Sequence, residues 1–382
     1  MKEVVICWVI LCSAAAKTSN LSSNEKCKNG TEPWTCQKSS TCKGLKTGIK
    51  KDGEVKLCGF VGDEPIVCCP PESQAEVKDK VDLPSVQPEG GKKAEQKCRE
   101  YAKYVFREVQ SPALLPDLEA KVDECGKTYI EALIVFKDGV PANHNEFPHM
   151  ALIGIENKGS PLWFCGGSLI SPNFVLTAAH CNISNINTSV IVRLGELDVL
   201  EKEDKATPID VKISQVINHP MYVPSKAYHD IALLRLEKEV ELGPSIRPLC
   251  LQTERSFKDV KAIASGWGYT SYGNNSSSNS HLKKVHLDLT DDNKCVNAYG
   301  TKWPKLSKGI KPEIMFCSGG NHGEDTCKGD SGGPLQVHLK DPYCMYSQIG
   351  ISSFGIGSGS TTPGVYTRVS AYVPWIENIV WP

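Results

Sequence analysis

Cysteine placement limits what this chain can fold into more than any other feature. Six cysteines, Cys27, Cys36, Cys42, Cys58, Cys68 and Cys69, fall between positions 27 and 69 with few large apolar residues among them. So small a segment cannot bury enough surface to fold by packing alone, and crosslinks must supply the difference. Spacing by itself leaves their connectivity open. Crosslinks need an oxidising compartment, and the first residues point to one. Lys2 is followed by an apolar run over 4–12 and then by Ser13-Ala14-Ala15-Ala16. A short apolar core before small residues predicts a signal peptide over 1–16 and a secreted, extracellular protein. The run is too short to cross ~30 Å of hydrocarbon. Two of the seventeen cysteines, Cys7 and Cys12, would leave with it. The fifteen that remain are expected to be oxidised, and an odd number leaves one thiol without a partner inside a monomer. Asn-x-Ser/Thr sequences begin at Asn20, Asn29, Asn182, Asn187, Asn274 and Asn275, permitted glycan sites in an exported chain.

A net charge of −1 over 382 residues gives no electrostatic reason to expect a nucleic acid or a membrane as partner. Residues 70 to about 97 hold Pro70-Pro71, Pro84, Pro88, Gly90-Gly91 and many charges without helical or strand period, and are read as an extended linker. A short helix is predicted over 98–109 on the spacing of Tyr101, Val105 and Phe106. From about 134 onward, β-rich runs recur between Gly, Pro and Asn, at 151–155, 174–177, 190–194, 211–217, 231–236, 261–265, 281–287 and 348–352. Many short strands at fairly even spacing indicate a sandwich or barrel rather than β-α units. Tyr372, Val373, Ile376, Ile379 and Val380 fit one face of a terminal helix, with Pro374 in its first turn.

Acyl transfer at a peptide bond needs a nucleophile, a base, a group to orient the base, and donors for the oxyanion. Ser331 sits in Gly329-Asp330-Ser331-Gly332-Gly333-Pro334, where glycines permit a tight turn and let the Gly329 and Ser331 N–H groups point at one oxygen. Alone this is also the pattern of a Gly-rich surface turn. His180 follows an apolar run in Leu176-Thr177-Ala178-Ala179-His180-Cys181, a place where a lone histidine is more often structural. Asp230 stands directly ahead of Ile231-Ala232-Leu233-Leu234, where an unpaired buried carboxylate would cost several kcal/mol. The order His–Asp–Ser with all three contexts intact carries far more weight than any one of them.

On these residues the region 134–382 resembles the chymotrypsin family of serine proteases. The resemblance implies a mainly β fold of two antiparallel β-barrels with the site between them. It makes His180 the general base, Asp230 its orienting carboxylate and Ser331 the nucleophile. Asp325, six residues before the serine, then floors the specificity pocket, walled by Ser353, Gly355 and Gly364. A carboxylate there favours Arg or Lys over apolar side chains. The segment 27–69 resembles the clip domain of arthropod clip-domain serine proteases, which implies bridges Cys27–Cys68, Cys36–Cys58 and Cys42–Cys69. Cys98 and the Cys125-Gly126 segment are most similar to the Snake-like members of that family. The implied organisation is a signal peptide (1–16), clip domain (27–69), linker and propeptide (70–133) and protease domain (134–382). The family implies a zymogen acting in an extracellular immune or developmental cascade. Its partners would be a protein substrate, itself another zymogen, an upstream activating protease and a serpin-type inhibitor.

Other features follow or break the family pattern. Cys125–Cys250, Cys165–Cys181 and Cys295–Cys317 follow it, which leaves Cys98–Cys344 by elimination. Activation in the family frees an N-terminus whose ammonium pairs with the Asp beside the serine, here Asp330. Ile134-Val135 resembles that start, although counting back from Ala142 lands on Phe136, and Leu133 rather than a basic residue precedes it. Cys327 lacks a cysteine in the segment where its usual partner falls, and is expected to be the free thiol. The acidic loop with Glu196, Asp198 and Glu203 offers oxygen ligands for calcium, although a solvated charged loop explains the same residues. No cofactor is required by the chemistry. Two rival functions remain, a non-catalytic clip-domain cofactor and a digestive trypsin. The intact triad opposes the first, and the clip module with its long linker opposes the second.

Overall fold

The structure is a computed structural model. It describes residues 26–29, 32–38, 57–61, 64–69, 90–110, 119–123, 125, 139–157, 160–183, 189–256, 260–268, 280–300, 303–320, 330–355 and 362–382. The chain forms two units, Met1–Ser85 and Val86–Pro382. In the first, β1 (Lys26–Asn29), β2 (Glu32–Lys38), β3 (Leu57–Val61) and β4 (Glu64–Cys69) make an antiparallel sheet in the order β1-β2-β4-β3. Its buried cluster among the described residues is Cys36, Cys58, Ile66 and Cys68. With a single aliphatic side chain in that cluster, covalent closure has to do what packing cannot. Cys36 is bridged to Cys58, and Cys68 and Cys69 are both disulfide-bonded. Cys42 lies outside the described residues.

The second unit opens with α1 (Lys92–Tyr101), a 3-10 turn at Ala102–Val105, and the hairpin of β5 (Phe106–Gln110) with β6 (Glu119–Asp123). A short strand, β7 (Val140–Pro141), leads into a closed barrel. Its strands are β8 (Met150–Ile155), β9 (Leu162–Ser171), β10 (Phe174–Thr177), β11 (Val190–Leu194), β12 (Ile209–Asn218) and β13 (Ala232–Leu236). Closure runs β10-β13-β12-β11-β8-β9, around Ile153, Leu169, Leu176, Val192 and Leu233. The second barrel uses β14 (Cys250–Leu251), β15 (Lys261–Gly266), β16 (Lys283–Asp288), β17 (Met315–Ser318), β18 (Pro334–His338), β19 (Tyr346–Phe354) and β20 (Gly364–Arg368). Its path is β17-β20-β19-β18-β15-β16-β7, with β14 beside β19. Ala262, Leu287, Leu335, Ile349 and Tyr366 fill it. Two helices complete the unit, α2 (Asp292–Tyr299) and the terminal α3 (Val373–Val380), whose Pro374 lies in the first turn. The fold is therefore mainly β, with two antiparallel barrels.

Residues 90–125 depart from the sequence expectation. The linker expected to reach about residue 97 gives way to α1 at Lys92, and the helix expected over 98–109 ends at Tyr101. The cause is a tertiary cap. Glu377 on α3 is buried, and its carboxylate accepts from Gly91 N at 2.9 Å and from Ala94 N at 2.8 Å. Those are orphan donors of the first helical turn, and a carboxylate there also faces the positive end of the helix. Gly91 reaches this position at φ 104°, and a Cβ there would meet Thr253 at 3.0 Å.

The same docking corrects the disulfide assignment. Cys125 is not bridged to Cys250, nor Cys98 to Cys344. Cys98 pairs with Cys250, and Cys125 with Cys344. Thr253 hydrogen-bonds Glu95 at 2.9 Å, which lays α1 along β14, and Cys98, three residues on, meets Cys250. The β5–β6 hairpin then carries the chain to Tyr343, which donates to Asp123 at 2.9 Å and stacks on Phe106, so Cys125 arrives beside Cys344. Arg247, 4% exposed, donates to the carbonyls of Tyr104 and Cys344 under this wrap. Its guanidinium is pushed down to about 10 by burial.

Replacing Glu377 with Ala leaves two buried N–H groups unsatisfied and is expected to cost about 2 kcal/mol. Glu377→Gln should lose roughly half of that, since one carbonyl acceptor remains. Chemical denaturation with the bridges intact measures both, and an unchanged midpoint for Glu377→Ala would refute the cap.

Candidate active site

Strand pairing brings the first two groups together. β10 and β13 are neighbours, with Thr177 opposite Ala232. The residues just past the end of one and just before the start of the other must therefore emerge side by side. His180 lies on the 3-10 turn Ala179–Cys181 after β10, and Asp230 sits two residues ahead of β13. Ala178 and Ala179 are buried, so the imidazole stands on a packed floor. Cys181 is tied to Cys165 on β9.

Asp230 is 3% exposed. One oxygen accepts from His180 N at 2.8 Å, and the other faces His180 Nδ1 at 2.7 Å. Ser353 Oγ donates to that second oxygen, and Thr367 Oγ1 donates to the Asp230 carbonyl at 2.9 Å. Burial works to raise the carboxyl, but the charge and hydrogen bond of His180, then Ser353 and the His180 amide, hold it below its ordinary value. An ionised carboxylate only accepts, so Nδ1 carries the proton and Nε2 keeps its lone pair. Burial also works against a charged imidazole, yet Asp230 outweighs it and holds His180 above the ordinary 6.5.

Ser331 is held on a turn clamped between the barrels. Its carbonyl accepts from Gly166 N on β9 at 2.8 Å, and the Gly166 carbonyl accepts from Thr177 Oγ1 at 2.7 Å. Gly332 N donates to Ser352 O on β19 at 2.9 Å. Gly332 has φ 81°, and a Cβ there would fall 2.2 Å from Thr177 Oγ1. Only glycine fits that crossing. Cys181 Sγ lies 3.9 Å from Ser331 O, which sets the serine turn beside the histidine turn. Gly364 heads β20 next to the end of β19, which carries Ser353 and leads to Gly355, so these three share one edge. Asp325, Cys327, Gly329, Leu133 and Ile134 lie outside the described residues.

Asp330 is held by the backbone after β15. Its carboxylate accepts from Gly268 N at 3.0 Å, and a Cβ on Gly266 would collide with it. It borders a narrow cleft whose lining includes Met150, Leu152, Trp163, Phe164 and Trp267.

The acidic loop is laced by its own hydrogen bonds. Glu196 is buried and paired with Arg193 at 3.2 Å, and its other oxygen accepts from Leu197 N at 3.0 Å. Asp198 accepts from the amides of Leu200 and Glu201, and the amide of Glu203 donates to Glu201. Burial pushes the Glu196 carboxyl up, while the Leu197 amide and Arg193 act against it. Among the described residues, the one group of three ligand-type side chains is Cys165, His180 and Cys181, and both of its sulfurs are in a bridge.

Sequence reasoning placed Ser353 only in a pocket wall, whereas it also supports Asp230. Thr367 and Tyr372 went unnoticed as supports. Tyr372 OH lies 3.0 Å from His229 Nδ1, and His229, at φ 56°, makes the backbone bend that aims Asp230. A polar residue at an inward strand position was the only available signal for Thr367.

Comparison with known proteins places this geometry. The trypsin family matches residues 136–376. Serine protease snk of Drosophila melanogaster is 34% identical, covering 86% of this chain and 71% of that protein. Phenoloxidase-activating enzyme 1 of Spodoptera litura is 32% identical, over 85% of this chain and 82% of its own. CLIP domain-containing serine protease B4 of Anopheles gambiae is 35% identical, over 67% and 72% respectively. With a buried aspartate paired to a histidine beside a glycine-framed serine, and relatives of this kind along most of its length, the chain belongs to the trypsin family of serine proteases, as an endopeptidase of the arthropod clip-domain group.

Proposed function

We propose that this protein is a secreted zymogen which, once cut, cleaves another protein after Arg or Lys in an extracellular cascade. The buried Asp230 carboxylate, held by His180 and Ser353 beside the Ser331 turn, is the observation that carries the reading. In this reading His180 Nε2 takes the proton of Ser331 Oγ as the oxygen attacks the scissile carbonyl. The N–H groups of Gly329 and Ser331 receive the oxyanion, and His180 then returns its proton to the leaving amine. Asp230 stabilises the imidazolium formed in between. Asp325 is assigned to the pocket floor and Ser353, Gly355 and Gly364 to its walls. The mechanism needs no metal ion.

The zymogen assignment rests on Leu133/Ile134 as the activation bond, with the Ile134 ammonium pairing with Asp330. Residues 1–16 are assigned as signal peptide, 27–69 as clip domain, 70–133 as linker and propeptide, and 134–382 as protease domain. Partners are an upstream protease able to cut after leucine, a zymogen substrate and a serpin-type inhibitor. The Spodoptera litura relative is named for activating phenoloxidase, which supports a substrate that is itself activated by cleavage.

Activated enzyme is expected to hydrolyse Arg and Lys peptides, and Ser331→Ala to lose on the order of 10⁶-fold in kcat while still binding substrate. Asp325→Ser should move preference toward apolar side chains. A wild-type enzyme that prefers Phe or Leu peptides would remove the pocket assignment.

Because His180 is held above its ordinary value of 6.5, the acid limb of kcat/KM should lie above pH 6.5. Asp230→Asn leaves burial unopposed, so the limb should move down while kcat falls by about 10⁴-fold. An acid limb that stays in place in Asp230→Asn would separate it from His180.

N-terminal sequencing of the active two-chain form should read Ile134 first. Full activity with Thr128, Phe136 or Asp138 as first residue would show that a different bond is cut.

A further inference from the structure

Two loops beside the histidine turn are zipped together, and lysines edge the seam. Ala227 N donates to Lys305 O at 3.0 Å, and Lys226 Nζ donates to Ser307 Oγ at 3.2 Å. Tyr228 OH accepts from Lys308 N at 2.8 Å and donates to Gly309 O at 2.9 Å. The Lys311 ammonium stands 5.6 Å from the centre of the Tyr228 ring. Lys305 and Lys308 are exposed, and Lys226 and Lys311 are half-buried. None of these four lysines forms an ion pair among the described residues. The stretches 219–229 and 303–311 carry no carboxylate. Glu313 follows Lys311 in the chain, and Asp292 on α2 lies 3.7 Å from Arg368. The place of these lysines is set by one packed cluster. Ala227, Tyr228, Leu306 and Ile310 share it with Phe354, which stands between Ser353 and Gly355 at the end of β19. The rim therefore flanks the edge assigned to the pocket wall. Lys305 also comes near enough to His180 for its charge to act against the imidazolium.

We infer that Lys226, Lys305 and Lys308 determine specificity by selecting polypeptide substrates with Asp or Glu side chains just upstream of the basic residue at the cut. This selection presupposes the proposed cleavage after Arg or Lys and narrows its substrate class. With a basic side chain between Ser353 and Gly355 and its carbonyl at Ser331, the preceding residues leave the pocket past Phe354, where the lysines stand. Like charges gathered on one rim repel, and a substrate carboxylate relieves that repulsion on both loops at once. An ammonium on a flexible stem accepts a carboxylate from several directions, which suits an extended peptide. The backbones of the two loops are already paired, so binding has only side chains left to order. A sulfated polysaccharide would meet the same charges. Placement at the pocket edge, beside His180, fits a peptide instead.

The test compares fluorogenic peptides that share one Arg at the cut and carry paired Asp or paired Asn side chains just upstream, on the full-length, activated enzyme. Exposed charge pairs shift an equilibrium by a few-fold each, so kcat/KM at low salt should favour the Asp peptide by roughly tenfold. The gain should lie mainly in KM. It should vanish near 1 M salt, where the screening length is about 3 Å. Lys305→Gln should lower the Asp-to-Asn ratio about threefold, and Lys305→Glu should bring it to about one. Because both peptides meet the same enzyme preparation, the ratio does not depend on how much of a variant is folded. Equal rates on the two peptides in wild type overturn the inference and leave cleavage after Arg standing. A preference that survives in Lys305→Glu, or at high salt, overturns it equally. So does a sulfated polysaccharide that binds through these lysines while the peptides show no ranking, since the rim then serves a polyanion. A wild-type enzyme that cuts neither peptide after Arg overturns the proposed function and this inference with it.

Discussion

A carboxylate buried to 3% exposure is the constraint on which the catalytic region turns. Left unpaired, Asp230 would be protonated or would destabilise the barrel by several kcal/mol. Donors have to come to it, and they come from two places: the His180 turn of the first barrel and Ser353 on β19 of the second. The same charge thus joins the two barrels and fixes the imidazole's tautomer. Activity and cohesion share one group, and a change at Ser353 bears on both.

Much of the fold was legible because its strands are short apolar runs that stop at Gly, Pro and Asn. β8, β10, β11, β13 and β15 fall where such runs stand out from their surroundings. β9 was not visible, because Gly166-Gly167 interrupts its apolar run. α1 was hidden for a different reason. Its start depends on Glu377, more than 280 residues away in sequence, and no local pattern encodes a partner at that distance.

The site divides along similar lines. His180, Asp230 and Ser331 announce themselves because each chemistry demands a local setting, such as small residues under an imidazole or glycines around a nucleophile. Crosslinks carry no such signature. A cysteine's partner is set by what packs around it, and α1 lying along β14 decided between Cys98 and Cys125 for Cys250. The acidic loop is instructive in the same way. Glu196 and Asp210 share Arg193, which stands on β11 outside the run of carboxylates.

Cys98–Cys250 and Cys125–Cys344 anchor both ends of the segment that carries α1 and the β5–β6 hairpin. A single bridge would leave that segment a swinging arm after any cut downstream of Cys125, and one reduction event would free it. Two bridges make the pieces one kinetic body. Separation of the pieces of a chain cut there would then have no concentration dependence, and dilution would not change its composition. Its working life is set by chemistry at the site or by a reductant, and whatever the upstream residues bind stays physically coupled to the place where peptides are broken.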